Sequence, residues 1–177
     1  MAELVWEKAR KAAQDILDEC WDQRIPVDID AICRANGVKK YLRAMPDELS
    51  GMIIKRRGQP RADAFIDRYE PEVRQRFTLA HELGHYIERT RIAEDDEFGF
   101  TEIRAGSRRK DDEYFPHEFF ADEFAGSVLM PESKVQELEA EGKSDAEMAA
   151  LFNVSIAAVR KRRDVLHRYP TPTHAGR

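Results

Sequence analysis

Apolar positions recur with helical spacing at the beginning of the chain. Between residues 2 and 21 they form one broad stripe, which predicts an amphipathic helix packed on the protein core. The stripe consists of Leu4, Val5, Ala9, Ala12, Ala13, Ile16, Leu17 and Cys20. After an entry turn at residues 25–28, a second helix is predicted to run to about Asn36, where Gly37 supplies a C-terminal stop.

The pattern changes over residues 38–67, where short runs of branched and aromatic residues alternate with turn residues. The runs are 38–42, 51–56 and 64–67, and they are separated by Pro46, Gly58 and Pro60. Such runs, bounded by proline and glycine, predict a small antiparallel sheet. Pro71 then predicts the start of the helix that contains residues 81–85.

Helical spacing returns at residues 118–129. The apolar positions there are 119, 120, 121, 124, 125, 128 and 129. They predict a helix with one buried face, and Glu118, Asp122 and Ala125 lie on one flank of that face. The preceding stretch, residues 89–113, is rich in charge, and its length is equally consistent with a solvated loop and with a lid over a site.

The last third of the chain resembles a helix-turn-helix. Ser144 and Ser155 are predicted to cap two short helices that meet in a tight turn at Asn153. From residue 155 to the end there are six basic residues and one acidic residue, in a chain whose net charge is −5. The residues that would contact nucleic acid are Arg160, Lys161, Arg162 and Arg163. Such asymmetry is what nucleic-acid contact needs, but basic residues also favour helix C-termini, so DNA binding is an alternative that charge alone supports weakly.

Length and composition are those of a globular protein with one hydrophobic core. The 177 residues can form one domain with a small appendage. There is no long apolar run for a membrane span, and residues 1–21 contain acids throughout and lack the features of a signal peptide. A cytoplasmic location without a membrane partner is therefore expected. Cys20 and Cys33 lie at apolar helical positions, so we expect reduced thiols packed in the core.

The segment His81-Glu82-Leu83-Gly84-His85 carries the most specific chemistry. Positions i and i+4 of a helix share a face, so the two imidazoles can hold one metal ion while Glu82 leans toward the same site. The flanks are apolar: Phe77, Leu79, Ala80, Tyr86 and Ile87. A chance surface motif would have polar flanks, whereas two buried histidines without partners would be unfavourable. A metal ion is therefore the predicted partner.

A catalytic zinc usually takes three protein ligands, and Glu118 is the predicted third. Asp122 follows one helical turn later and is predicted to accept a hydrogen bond from the far nitrogen of a ligating histidine. His117 competes for the ligand position, but on a helix it points roughly 100° away from Glu118. The alternative is that Glu118 and Asp122 are solvated acids, which is common for such residues, but the paired histidines favour the metal site.

Two blocks of sequence resemble the ImmA/IrrE family of metallopeptidases, whose members pair with repressors in phages, mobile elements and stress responses. The first block is residues 76–85, RFTLAHELGH, and the second begins E-x-x-A-D-x-F-A at Glu118 and closes with L-M-P at residues 129–131. Their order and spacing are those of the family, and the resemblance covers roughly residues 25–165. One position departs: residue 122 is more often Asn in the family, whereas Asp122 restores the Glu-x-x-x-Asp arrangement of thermolysin-like peptidases, the gluzincins.

The resemblance implies that zinc, with manganese as the alternative metal, is held by His81, His85 and Glu118, and that Glu82 is the general base. It also implies an α+β fold: a mainly helical, zincin-like metallopeptidase core with a small antiparallel sheet and a C-terminal helix-turn-helix-like segment. The expected division is a core over residues 1–131, C-terminal helices packed on it over residues 132–168, and a disordered tail over residues 169–177.

The expected function is that of an intracellular zinc endopeptidase that cleaves a helix-turn-helix transcriptional repressor and relieves repression, the substrate class being implied by the resemblance. Residues 88–123 contain twelve acids and six bases, so the site would attract a cationic segment. Tyr86 and Tyr114 are candidates for stabilising the oxyanion. Two alternatives are a non-proteolytic metal-binding regulator, such as a toxin–antitoxin partner, and a DNA-binding regulator that uses residues 144–163.

Overall fold

The computed structural model describes residues 4–92, 100–105 and 116–170, and for residues 100–105 it describes the backbone alone. The chain begins with helices α1 (Val5–Cys20) and α2 (Ile29–Ala35), followed by strands β1 (Val38–Arg43), β2 (Leu49–Lys55) and β3 (Ala62–Asp67). Next come helix α3 (Glu72–Ile87), the π-helical segment Glu88–Ile92 and strand β4 (Phe100–Ala105). Four helices complete the fold: α4 (Pro116–Leu129), α5 (Glu132–Ala140), α6 (Asp145–Phe152) and α7 (Ile156–Arg168). The predicted α+β class with a mainly helical core is confirmed.

The four strands form one sheet in the order β1-β3-β2-β4. Strand β2 pairs antiparallel with both β3 and β4, whereas β1 pairs parallel with β3, in the register Val38↔Ala62 to Arg43↔Asp67. The prediction of an antiparallel sheet is therefore wrong for β1, and the sheet is mixed. The chain passes through β2 before it returns as β3, so β3 runs in the direction of β1 when it inserts between the two. Strand β4, which was not predicted, comes from the charged stretch 89–113.

Helix α3 lies against the sheet at a position where a strand residue has no side chain. A Cβ added at Gly51 of β2 would lie 2.5 Å from Cγ2 of Thr78 and 3.1 Å from the carbonyl oxygen of Phe65. A larger residue would force Thr78 or the neighbouring strand to shift, because 2.5 Å is far inside van der Waals distance. Glycine at this position thus fixes how closely α3, the helix of the two histidines, approaches the sheet.

Helices α3 and α4 approach each other closely at Gly84. A Cβ at this residue would lie 3.0 Å from Cα of Ala121 and 3.1 Å from Cδ1 of Phe124. Helix α1 also packs on α4, and Ala9, Ala13 and Ile16 of its predicted stripe are fully buried, whereas Leu4 at its start is exposed. The core is one cluster that runs through these helices and one face of the sheet.

The C-terminal helices have the caps that the sequence predicts. The Ser144 side chain accepts from the backbone N–H of Glu147, and the Glu147 carboxylate accepts from the Ser144 N–H. Asn153 adopts the left-handed conformation with φ of 53°, and Ser155 caps α7. Residues 171–177 of the predicted tail lie outside the described residues, and the division of the chain near residue 131 stays a prediction.

Two smaller expectations concern the thiols and the membrane. Cys33 is buried and Cys20 half-buried, and neither forms a disulfide within the described residues. Burial raises the pKa of the Cys33 thiol, so this side chain behaves as an apolar core residue. None of the helices in the described ranges combines the length and apolar character that a membrane span needs.

Candidate metal centre

The three predicted metal ligands come together where α3 meets α4. His81 and His85 lie one turn apart on α3 and are almost completely buried, and Glu118 lies in the first turn of α4. Each side chain offers one ligand atom, and these atoms lie within 4.8 Å of one another. The close approach at Gly84 accounts for this, because a larger separation of the helices would move Glu118 away from both imidazoles.

The spacing of the ligand atoms fits a tetrahedral metal site. The Nε2 atoms of His81 and His85 are 3.0 Å apart, and the Glu118 carboxylate oxygens lie 3.4 Å from each of them. Zinc bonds of about 2.0–2.1 Å at tetrahedral angles place neighbouring ligand atoms about 3.3 Å apart. Two imidazole nitrogens and one carboxylate are also a donor set that zinc accepts, with a fourth position left open for water.

Asp122 orients one of the two imidazoles. Its Oδ1 lies 2.8 Å from Nδ1 of His81. An ionised carboxylate only accepts hydrogen bonds, so Nδ1 donates to Asp122 and Nε2, which faces His85 and Glu118, is the nitrogen left for a metal ion. Carboxylates that support ligating histidines in metal sites act in this way, and the sequence predicted this contact from the one-turn spacing of Glu118 and Asp122.

The charge state of Glu118 suits a ligand. Partial burial opposes ionisation of this carboxyl group, but the hydrogen bonds and charges of His81 and His85 outweigh burial and hold its pKa well below the ordinary value. The lowered pKa favours the carboxylate form of Glu118, which is the form that binds a metal ion. A metal ligand must be deprotonated, so no proton has to leave this side chain when a cation binds.

Glu82 follows His81 on α3 and has no exposed surface. It is not one of the three residues whose ligand atoms cluster within the described part of the chain. Its carboxylate is shielded from bulk water, so any proton that it accepts has to come from a group or a water molecule inside the site. The structure thus keeps Glu82 beside the ligands without making it one of them.

His117, the competing ligand, faces away from the cluster. Its side chain is mostly exposed, and its Nδ1 lies 3.0 Å from Oε1 of Glu88. Burial raises the pKa of Glu88, while His117 opposes that shift. This pair joins the π-helical segment after α3 to the start of α4. Glu88 was not singled out from the sequence, because nothing in its local pattern distinguishes it from a solvated acid.

The four basic residues predicted to contact nucleic acid are mostly engaged within the protein. Arg160 lies 3.0 Å from Asp145, and Arg163 lies 2.6 Å from Glu139. Arg162 is buried, and burial lowers its pKa to about 10 although Glu123 opposes the shift. Only Lys161 has no ion-pair partner among the residues that the structure describes. DNA contact through this group stays a prediction, with little free positive charge to support it.

Of the two tyrosines proposed for the oxyanion, Tyr86 alone lies in the part of the chain that the structure describes. Tyr86 is buried, and its hydroxyl lies 3.9 Å from the position that a Cβ at Gly37 would occupy, beside the start of β1. Tyr114 lies outside the described residues. A donor for the oxyanion is therefore not identified among the side chains that the structure describes.

The chain is similar to a known protein family and to a protein of known structure. The family model described as the IrrE N-terminal-like domain, Peptidase_M78, matches residues 42–163, which is more than half of the chain and includes all three candidate ligands. A Mycobacterium tuberculosis transcriptional regulator of known structure is similar with a TM-score of 0.60 and 15% sequence identity. The match covers 97% of this chain and 49% of that one, so this chain spans about half its length. At this identity the similarity shows the fold alone. A search of the curated proteins found no match.

Proposed function

The chain belongs to the IrrE N-terminal-like domain family of peptidases, and from this premise we propose that it is a zinc-dependent endopeptidase. Family membership by itself supports a peptidase in general. The observation that carries the finer proposal is the cluster of His81, His85 and Glu118, whose ligand atoms have the spacing and chemistry of a three-ligand zinc site.

The roles of the side chains follow from their positions. A zinc ion in this site supplies Lewis acidity for the scissile carbonyl and lowers the pKa of a bound water. Glu82 accepts the proton of the attacking water at its carboxylate and delivers it to the leaving amine nitrogen, as the carbon–oxygen bond forms and the carbon–nitrogen bond breaks. Asp122 keeps the Nδ1–H of His81 engaged, so that Nε2 stays available.

The proposed substrate is a helix-turn-helix transcriptional repressor, which cleavage would inactivate inside the cell. The support is the family resemblance together with the acidic character of residues 88–123, which would attract a cationic segment of such a DNA-binding protein. The internal ion pairs of Arg160, Arg162 and Arg163 favour this function over direct operator binding.

The experiment is incubation of the protein with purified helix-turn-helix repressors, beginning with any that is encoded beside it. We expect cleavage that 1,10-phenanthroline stops and that added zinc restores, and mass spectrometry would locate the cut. A His81→Ala variant should neither retain zinc nor cleave. Stoichiometric zinc without cleavage would count against the peptidase and favour a non-proteolytic partner, and salt-sensitive operator binding without cleavage would favour a DNA-binding regulator.

A further inference from the structure

A cavity of about 380 Å³ lies between α3, α4 and α7, behind the candidate metal centre. Much of its wall is apolar and is formed by Val73, Phe77, Met130, Val154, Ala158 and Val165. Its volume falls within the range of small-molecule sites, which are concave, mostly apolar and furnished with a few polar groups. Apart from Asp122, the wall of the cavity shares no residue with the metal cluster or with the proposed peptidase chemistry.

The acids on the wall are already engaged with other groups. Asp122 accepts from His81, and Glu123 lies 2.7 Å from Arg10 and 3.2 Å from Arg162. Arg162 also donates to the Met130 carbonyl, 3.2 Å away. The charges of Asp122, Glu123 and Arg162 are therefore neutralised by partners within the protein, and none of these three residues requires a ligand.

The charge that remains on the wall is positive. Lys161 has no ion-pair partner in the part of the chain that the structure describes, and it lies in the wall beside the apolar residues. Arg74 also lines the cavity, and the only ion pair it forms within the described ranges, with Glu70 at 3.8 Å, is at the limit of an ion-pair distance. An apolar chamber with two such cations complements a molecule that has an apolar body and an anionic head.

We propose that this cavity binds a small molecule with an apolar body and an anionic head group. We further propose that this binding affects the candidate metal centre through Asp122. The apolar body fills the chamber, and the head group contacts Lys161 and Arg74. Asp122 belongs to the cavity wall and also accepts a hydrogen bond from Nδ1 of His81. A ligand that contacts Asp122 therefore changes how firmly His81 is oriented. This coupling rests on the proposed metal site, whereas the binding itself does not.

Gly126 allows the cavity to be filled by one substitution. It lies on α4 in the cavity wall, and a Cβ added there meets no atom within 4 Å. Gly126→Leu should therefore occupy the chamber without displacing its walls. Ala157→Leu narrows the same chamber from the exposed α7 side, and it serves as a second variant if the first fails to fold.

The test uses octane-1-sulfonate and octan-1-ol as probes of equal chain length, added to the full chain in the presence of a chelator. We expect octane-1-sulfonate to bind with amide shifts at Val73, Gly126 and Ala157 in NMR spectra, and both cavity-filling variants to lose this binding. Lys161→Gln should weaken octane-1-sulfonate roughly ten-fold while leaving octan-1-ol unchanged, because only the sulfonate uses the charge.

Three results would overturn the proposal. Absence of binding to the wild type, or equal affinity in a folded cavity-filling variant, removes the site, and equal effects of Lys161→Gln on both probes remove the anionic head group. For the coupling, zinc should change the octane-1-sulfonate affinity several-fold in a protein shown to hold stoichiometric zinc. An unchanged affinity then overturns the coupling alone, while failure to hold zinc is a failure of the proposed function.

Discussion

Nε2 of the buried His81 and the carboxylate of Glu118 lie 3.4 Å apart, and this approach is favourable only when a proton or a metal ion lies between them. Asp122 accepts a hydrogen bond from Nδ1 of His81, so Nε2 is the nitrogen of His81 that faces Glu118. At the scale of single residues, this arrangement is the strongest argument for a metal ion.

Substitutions at Asp122 test this argument. Asp122→Ala should weaken zinc binding about 10–100-fold, because His81 loses the partner that orients it. Asp122→Asn should retain most of the affinity, since the amide oxygen still accepts from Nδ1. Competition with a chelator of known affinity measures both variants, and Asp164→Ala, an exposed acid on α7, is the control. Wild-type zinc affinity in Asp122→Ala would contradict the orienting role.

At the scale of elements, the site depends on the contact between α3 and α4 at Gly84. Gly84→Ala would bring a Cβ to 3.0 Å from the backbone of Ala121, so the helices must separate. We expect a loss of about 1–3 kcal/mol in the free energy of unfolding and weaker zinc binding, because Glu118 moves with α4.

Gly126→Ala on α4 is the matched control for this helix contact. Its Cβ meets open space, so the better helix propensity of alanine should raise stability by about 0.5–1 kcal/mol. Urea titration of both variants, with zinc affinity measured in parallel, gives the comparison. Equal stabilities of the two variants would show that Gly84 is not the point of closest approach.

The sequence predicted elements better than their arrangement. Periodicity shows which residues face the core, and the spacing of His81, His85, Glu118 and Asp122 was sufficient to predict the cluster. Strand order was not predictable in this way, because the apolar pattern of β1 is the same for a parallel and an antiparallel neighbour. Strand β4 was missed because charged residues surround it in sequence. No pattern in residues 89–113 indicates that some of them pair with β2.

At the scale of the whole molecule, a buried ion-pair network joins the two ends of the chain to its middle. Glu123 on α4 contacts Arg10 of α1 and Arg162 of α7. Arg162 was predicted to contact nucleic acid, but its spacing from the buried residues Val159 and Leu166 places it on the inner face of α7. That helical phase was the signal that could have assigned Arg162 to the core.

Arg162 and Arg160 offer a matched pair for testing this network. Arg162→Ala should cost about 3–5 kcal/mol in the free energy of unfolding, since it leaves Glu123 buried with one partner fewer. Arg160→Ala removes a mostly exposed ion pair and should cost no more than about 1 kcal/mol. Chemical denaturation of both variants measures the two losses in the free energy of unfolding. Similar small losses would mean that the network does not hold the C-terminal helices to the core.

The central claim is that the cluster binds zinc for hydrolysis with Glu82 as the base. The most direct measurement compares the wild type with Glu82→Gln for two quantities in one preparation: bound zinc per chain and cleavage of a panel of helix-turn-helix repressors. We predict stoichiometric zinc in both proteins and cleavage by the wild type alone, because glutamine keeps the shape of Glu82 but cannot accept the proton. Full cleavage by a zinc-loaded Glu82→Gln variant would contradict the account.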